Sequence, residues 1–224
     1  MPAPEIATTY LAARQRIDDL VRPLDDAALA TPVAACPGWS VRDVVCHLAG
    51  TVMWAAEGRL RGVPSDEDTA AQVAELADVD LAEVLDRWAA MAPVFAEAVA
   101  ERSIWPAAID AVTHEHDIRL ALDRPGARDT EDVRRLADLL LASWSPDRPV
   151  EVVRGERTTR VGPAEGDPIR WRTDDFEVLR VRLGRRSRSQ MAALDWSADP
   201  GSLLDDLVVF GPAEADVDEP SGVS

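Results

Sequence analysis

Pro37-Gly38-Trp39-Ser40-Val41-Arg42-Asp43-Val44-Val45-Cys46-His47-Leu48 is the stretch that decides how this chain reads. Ser40 is a good helix N-cap, and Asp43 stands three residues on, a variant of the capping box. From there Val41, Val44, Val45 and Leu48 recur at i, i+3, i+4 and i+7, so the helix they predict has one apolar face. His47 lies about 60° around that helix from Val44, at the edge of the stripe. A histidine so placed faces the interior of a helical bundle and can still reach a cavity. The helix is expected to continue past Trp54 to about Leu60, with Gly62 and Pro64 stopping it.

A second stretch carries matching chemistry. Asp110-Ala111-Val112-Thr113-His114 sits in a predicted helix from about Pro106 to Leu122, ended by Asp123-Arg124-Pro125-Gly126. Residues at i and i+4 share a helix face, so Asp110 and His114 can point at one spot. His47 could supply a third ligand from a neighbouring helix. Two imidazoles and a carboxylate make a catalytic metal site with one position open to water or substrate. Each histidine taken singly also reads as an ordinary core residue, and pattern alone does not bring two helices together. His116 points about 160° away from His114 and is expected to be partly exposed. Asp117 could accept a hydrogen bond from a ligand histidine, or pair with Arg119 or Arg42. Trp39 and Trp54 are expected in the core.

Working outward, the first half reads as helices. Helical spacing links Ile6, Tyr10, Ala13, Ile17, Leu20 and Val21, and a connection with one short turn fills 24–37. Ser65–Thr69 reads as an acidic loop. A helix over about Leu81–Ala100 contains Pro93, a possible kink, and another spans about Thr130–Ser143. Near Ser145-Pro146 the texture changes. Val150–Arg154 and Ile169–Arg172 alternate apolar and charged residues, as half-buried strands do. Phe176–Leu183 fits strand or helix, and Gly201–Val209 looks helical. The expected organisation is a helical domain over 1–145, a small α/β domain over 146–213 and an acidic, disordered tail over 214–224.

Composition narrows the function classes. The 224 residues carry a net charge of −17, which argues against nucleic acid and anionic membranes as partners. No stretch is apolar enough to span a membrane, and the start of the chain lacks a secretory pattern, so a cytoplasmic location is expected. All 24 basic residues are arginine, which removes lysine Schiff bases and a P-loop lysine from consideration. Cys36 and Cys46 form neither a disulfide framework nor a CxxC pair and read as small core residues. Gly184-Arg185-Arg186-Ser187-Arg188-Ser189-Gln190 is a cationic knot in an acidic chain. Arg185 or Arg186 could hold an anionic substrate, or they could form salt bridges to the acidic body. No apolar helix face is left over, so a monomer is expected.

At these residues the chain resembles the mycothiol-dependent maleylpyruvate isomerase family, one of the DinB-like metal-binding bundles. Residues 37–48 resemble that family's first ligand motif, Asp110–Arg119 (DAVTHEHDIR) its second, and Phe176–Phe210 its C-terminal domain. The resemblance implies a DinB-like four-helix bundle followed by a small α/β domain similar to sterol carrier protein 2. It implies a divalent metal, usually taken as zinc, held by His47, Asp110 and His114, with Arg185 or Arg186 assisting catalysis. The family usually has glutamate where this chain has Asp110. Mycothiol as thiol cosubstrate is implied too. Its thiolate would add to an electron-poor alkene, allow rotation and leave again, or be transferred for good. Isomerase and S-transferase therefore share every feature of the sequence, and a non-catalytic metal- or small-molecule-binding protein of the same fold is the alternative.

Overall fold

The computed structural model describes residues 3–219. The chain divides into two compact units, Met1–Arg124 and Pro125–Ser224. Helix α7 (Glu131–Ala142) therefore belongs with the C-terminal unit, and the division falls at Arg124/Pro125 rather than near residue 145. The reason is packing: α7 lies on α8 (Asp175–Arg182) and on β2 (Arg157–Val161).

The N-terminal unit is built on four long helices, α1 (Ala3–Val21), α3 (Val41–Ala56), α5 (Leu81–Glu101) and α6 (Trp105–Ala121), with two short ones, α2 (Asp26–Leu29) and α4 (Asp66–Leu76). Helix α1 packs on α5 and α6, and α3 packs on α4, α5 and α6. Ile6, Ile17, Val44, Val45, Leu85, Trp88, Val112 and Ile118 are fully buried between them. Each such side chain contributes about 1.5–3 kcal/mol relative to exposure. Pro93 sits inside α5 without ending it, because it lies on the exposed side, where water can meet the carbonyl it leaves unbonded.

Over Ala111–Ile118 helix α6 is buried on all sides, polar positions included. Glu115, with a fully buried side chain, takes both Arg16 Nε (2.8 and 2.9 Å) and Arg119 Nε (2.9 Å). That paired charge fixes α6 against α1. Helix α3 starts at the expected cap: Ser40 Oγ accepts from the Asp43 N–H, and Asp43 accepts from the Ser40 N–H. It ends at Ala56, short of Leu60, where Gly58 turns the chain at φ +69°.

Helix α4 stands where an acidic loop was expected. Ser65 and Asp68 form a full capping box, and Asp66, Glu67 and Asp68 complement the positive N-terminal end. At its other end, the Arg42 guanidinium donates to the carbonyls of Leu76, Ala77 and Val79. Gln72 and Leu76, one turn apart, are its buried residues, too weak an apolar stripe to announce a helix.

In the C-terminal unit β1 (Val150–Arg154), β2, β3 (Ile169–Thr173) and β4 (Asp195–Trp196) form one mixed sheet in the order β2-β1-β3-β4. β1 pairs antiparallel with β2 and parallel with β3, and β4 is antiparallel to β3. Phe176–Leu183 resolves as helix α8, capped by Asp174. The expected helix over Gly201–Val209 shrinks to α10 (Leu203–Asp206), and α9 spans Arg188–Ala192. The tail expected to be disordered is docked as far as Glu219. Glu219 meets Arg180 Nε at 2.5 Å and Arg186 at 3.2 Å, and Val217 is buried. The physical reason is charge: Arg180 is fully buried, and this carboxylate neutralises it. Residues 220–224 of that expectation lie outside the described part.

Candidate metal centre

Two helices of the N-terminal unit bring the expected ligands together. Helix α3 presents His47, and α6 presents Asp110 and His114 one turn apart. His47 Nε2 lies 3.3 Å from Asp110 Oδ2, and His114 Nε2 lies 3.4 Å from Asp110 Oδ1. The imidazoles meet edge to face, with ring centres 5.6 Å apart. The shorter carboxylate of Asp110 thus reaches both rings. The ligand atoms of the three side chains all fall within 4.8 Å of one another. That separation, with two imidazoles and one carboxylate, is a donor set suited to a divalent ion such as zinc.

The outward nitrogens are held as well. His47 Nδ1 lies 3.1 Å from Gln72 Oε1, and His114 Nδ1 lies 3.1 Å from Asp117 Oδ2. With Nδ1–H donating to an acceptor, each Nε2 lone pair is left facing the common centre. Asp117 was foreseen as such an acceptor, whereas Gln72 was missed. Gly50 explains how Gln72 gets there: a Cβ at Gly50 would sit 2.8 Å from Gln72 Cβ, so glycine permits α4 to close on α3. Thr51 Oγ1 also reaches Gln72 Oε1, at 3.2 Å. The sequence signal was a polar residue one turn before Leu76, in a segment for which no helix was expected.

Exposure differs within the trio. The side chains of His47 and His114 are 7% and 9% exposed, and that of Asp110 is 36% exposed. The open side of the centre is therefore at Asp110. Burial would raise the Asp110 carboxyl, but His114 and His47 outweigh it and hold it well below the usual carboxylate range. Burial would likewise lower His114. The charge of Asp110 and hydrogen bonds to Asp110, Asp117 and Cys36 hold it well above its usual value.

The segment before α3 closes one wall. Val33 N–H donates to the Trp39 carbonyl, Val41 N–H to the Thr31 carbonyl and Trp39 N–H to the Cys36 carbonyl. Gly38 makes the reversal at φ +85°. This fold lays the Trp39 ring 5.2 Å from His47 and 6.4 Å from His114, so Trp39 is a half-buried wall of the site rather than a core residue. It also sets Cys36 Sγ 3.8 Å from both His114 Nδ1 and Asp117 Oδ2, half-buried, where a core position was expected. Cys46 and Trp54 are buried as expected, and burial pushes the Cys46 thiol up to about 11. His116, expected to be partly exposed, is 3% exposed because α6 is covered on every side there, and it belongs to neither group of potential ligands.

The two arginines lie in the C-terminal unit. Arg186 is engaged by Glu177 at 2.7 and 2.8 Å and by Glu219. Arg185 donates to the Leu183 carbonyl at 2.7 Å.

Residues 10–111 match the family model described as the mycothiol maleylpyruvate isomerase N-terminal domain. None of the curated proteins matches the chain. Among solved structures it is similar to the crystal structure of the mycothiol-dependent maleylpyruvate isomerase, with a TM-score of 0.51 and 18% identity over 83% of this chain and 90% of that one. A histidine-to-alanine mutant of that enzyme gives 0.50 and 17% over the same shares. At such identity the likeness speaks for the fold. Among the described residues no helix is long and apolar enough to cross a membrane.

Proposed function

We propose that this chain, whose residues 10–111 match the model of the mycothiol maleylpyruvate isomerase N-terminal domain, is a metal-dependent enzyme that uses mycothiol to act on a small electrophilic, maleylpyruvate-like substrate. The observation that carries the reading is the convergence of His47 Nε2, His114 Nε2 and both Asp110 oxygens on one point, with each Nδ1 held from behind. A divalent ion there, zinc by its donor set, would lower the pKa of a thiol so that thiolate is available at neutral pH.

The chain's own residues do the rest. His47 and His114 hold the ion, and Gln72 and Asp117 keep both rings in the ligating tautomer. Asp110 supplies the anionic ligand and leaves the accessible side open. Trp39 shields the ring faces from water. No protein thiol is required as nucleophile, in keeping with a Cys46 that is buried and hard to ionise. Arg185 and Arg186 are both candidates to bind an anionic substrate group, Arg186 being held by Glu177 and Glu219.

The test is turnover of maleylpyruvate by zinc-loaded protein with and without mycothiol. Isomerisation without net thiol consumption identifies an isomerase, and stoichiometric thiol consumption identifies an S-transferase. Neither reaction across a panel of electrophiles, from protein that holds its zinc, would leave a non-catalytic metal-binding protein and refute the proposal.

A further inference from the structure

We propose that Cys36 Sγ, His114 Nδ1 and Asp117 Oδ2 form a second metal position, for a thiophilic d10 ion, which excludes the ion held by His47, Asp110 and His114. The exclusion rests on the reading above that His114 Nε2 serves the first position. The coordination itself does not.

The separations suit an ion. Cys36 Sγ is 3.8 Å from His114 Nδ1 and 3.8 Å from Asp117 Oδ2, and those two atoms are 3.1 Å apart. The centre of the circle through three such points lies about 2.1 Å from each, and a small displacement out of their plane lengthens all three distances toward the roughly 2.3 Å of a zinc–sulfur bond. Ordinary packing does not require the three atoms to surround a common point at bonding distance. The position also has a way in. The Asp117 side chain is fully buried and His114 nearly so, but Cys36 is half-buried and stands on the outer side. Cys36 is held by backbone bonds of its own loop, its N–H to the Val33 carbonyl and its carbonyl to the Trp39 N–H, so the site needs little rearrangement.

The donor chemistry decides which ion. A thiolate beside an imidazole and a carboxylate favours soft or borderline ions, whereas the nitrogen and oxygen donors of the first position are harder. The tautomer makes the two positions alternatives. A neutral imidazole offers one lone pair. An ion at Nδ1 takes the place of the proton now shared with Asp117 and leaves a proton on Nε2, and the first position then loses a ligand. Excess thiophilic metal should therefore displace the ion at the first position rather than add to it.

The experiment is a titration of the metal-free full chain with cadmium, read by the ultraviolet thiolate-to-cadmium absorbance, with zinc content followed in parallel. The band is expected in the wild type, in Cys46→Ala and in His47→Ala, and it should be lost in Cys36→Ser while zinc binding at the first position is unchanged. Cadmium bound through Cys36 should expel zinc. No band in folded wild type, or a band that survives in Cys36→Ser, would overturn the proposal, and one cadmium and one zinc bound together would overturn the exclusion. If zinc fails to bind through His47 while the Cys36 band appears, the catalytic reading falls and this position stands.

Discussion

Replacing Gln72 by leucine isolates the support of one ligand from the fold around it. The substitution removes Oε1, the acceptor 3.1 Å from His47 Nδ1, and keeps most of the side-chain volume. Without an acceptor behind it, the His47 ring is free to turn or to change tautomer, and such losses weaken metal binding about 10–100-fold. That range corresponds to about 1.4–2.7 kcal/mol. The metal-free fold should barely respond. Gln72 is fully buried, and its Nε2 has no hydrogen-bond partner among the described residues. Leucine deletes that orphan donor as well as the bond to His47, and the two effects offset to within about 1 kcal/mol. The assay pairs zinc competition against a chromophoric chelator with thermal melting of the metal-free protein. Gln72→Glu, which restores an acceptor, should recover the affinity. Wild-type zinc affinity in Gln72→Leu, with the fold intact, would refute the reasoning.

Gly50→Ala should destabilise the N-terminal unit by about 1–3 kcal/mol and weaken zinc binding, because the new Cβ meets Gln72 Cβ at 2.8 Å; melting and zinc titration read both effects. In the metal-free protein, the raised His114 contributes stability that is complete below about pH 6.5 and lost as pH rises through its folded value, while the depressed Asp110 contributes stability present above about pH 3.9 and lost below it. Zinc competes with the His114 proton, so zinc affinity should rise with pH and loading should release protons, measurable by calorimetry in buffers of different ionisation enthalpy. Glu219→Gln should destabilise the C-terminal unit by about 3–5 kcal/mol, since it leaves Arg180 buried without its carboxylate; chemical denaturation with a probe in that unit checks it.

The grouping of His47, Asp110 and His114 was partly legible because helix periodicity is a short-range rule: Asp110 and His114 share a face by spacing alone, and His47 borders an apolar stripe. What spacing could not supply was contact between helices. Gln72 escaped because α4 buries little apolar surface and depends on its capping box and on Arg42 from α3. Trp39 and Cys36 looked like core residues because a tight reversal, invisible to periodicity, turns them onto the histidines. The tail looked disordered because its acidity was weighed without Arg180, whose need for a counter-ion arises only once α8 is buried. The placement of α7 was missed for a similar reason, since its apolar face is complementary to α8 and β2, which follow it in the chain.

The most direct test of the account is the metal content of untagged protein by plasma mass spectrometry, for wild type and His47→Ala purified side by side. About one zinc per chain in the wild type, lost in the variant while the fold melts normally, is the predicted result. A wild type that takes up no divalent metal even after incubation with zinc, or a His47→Ala protein that keeps its full complement, would contradict the central claim.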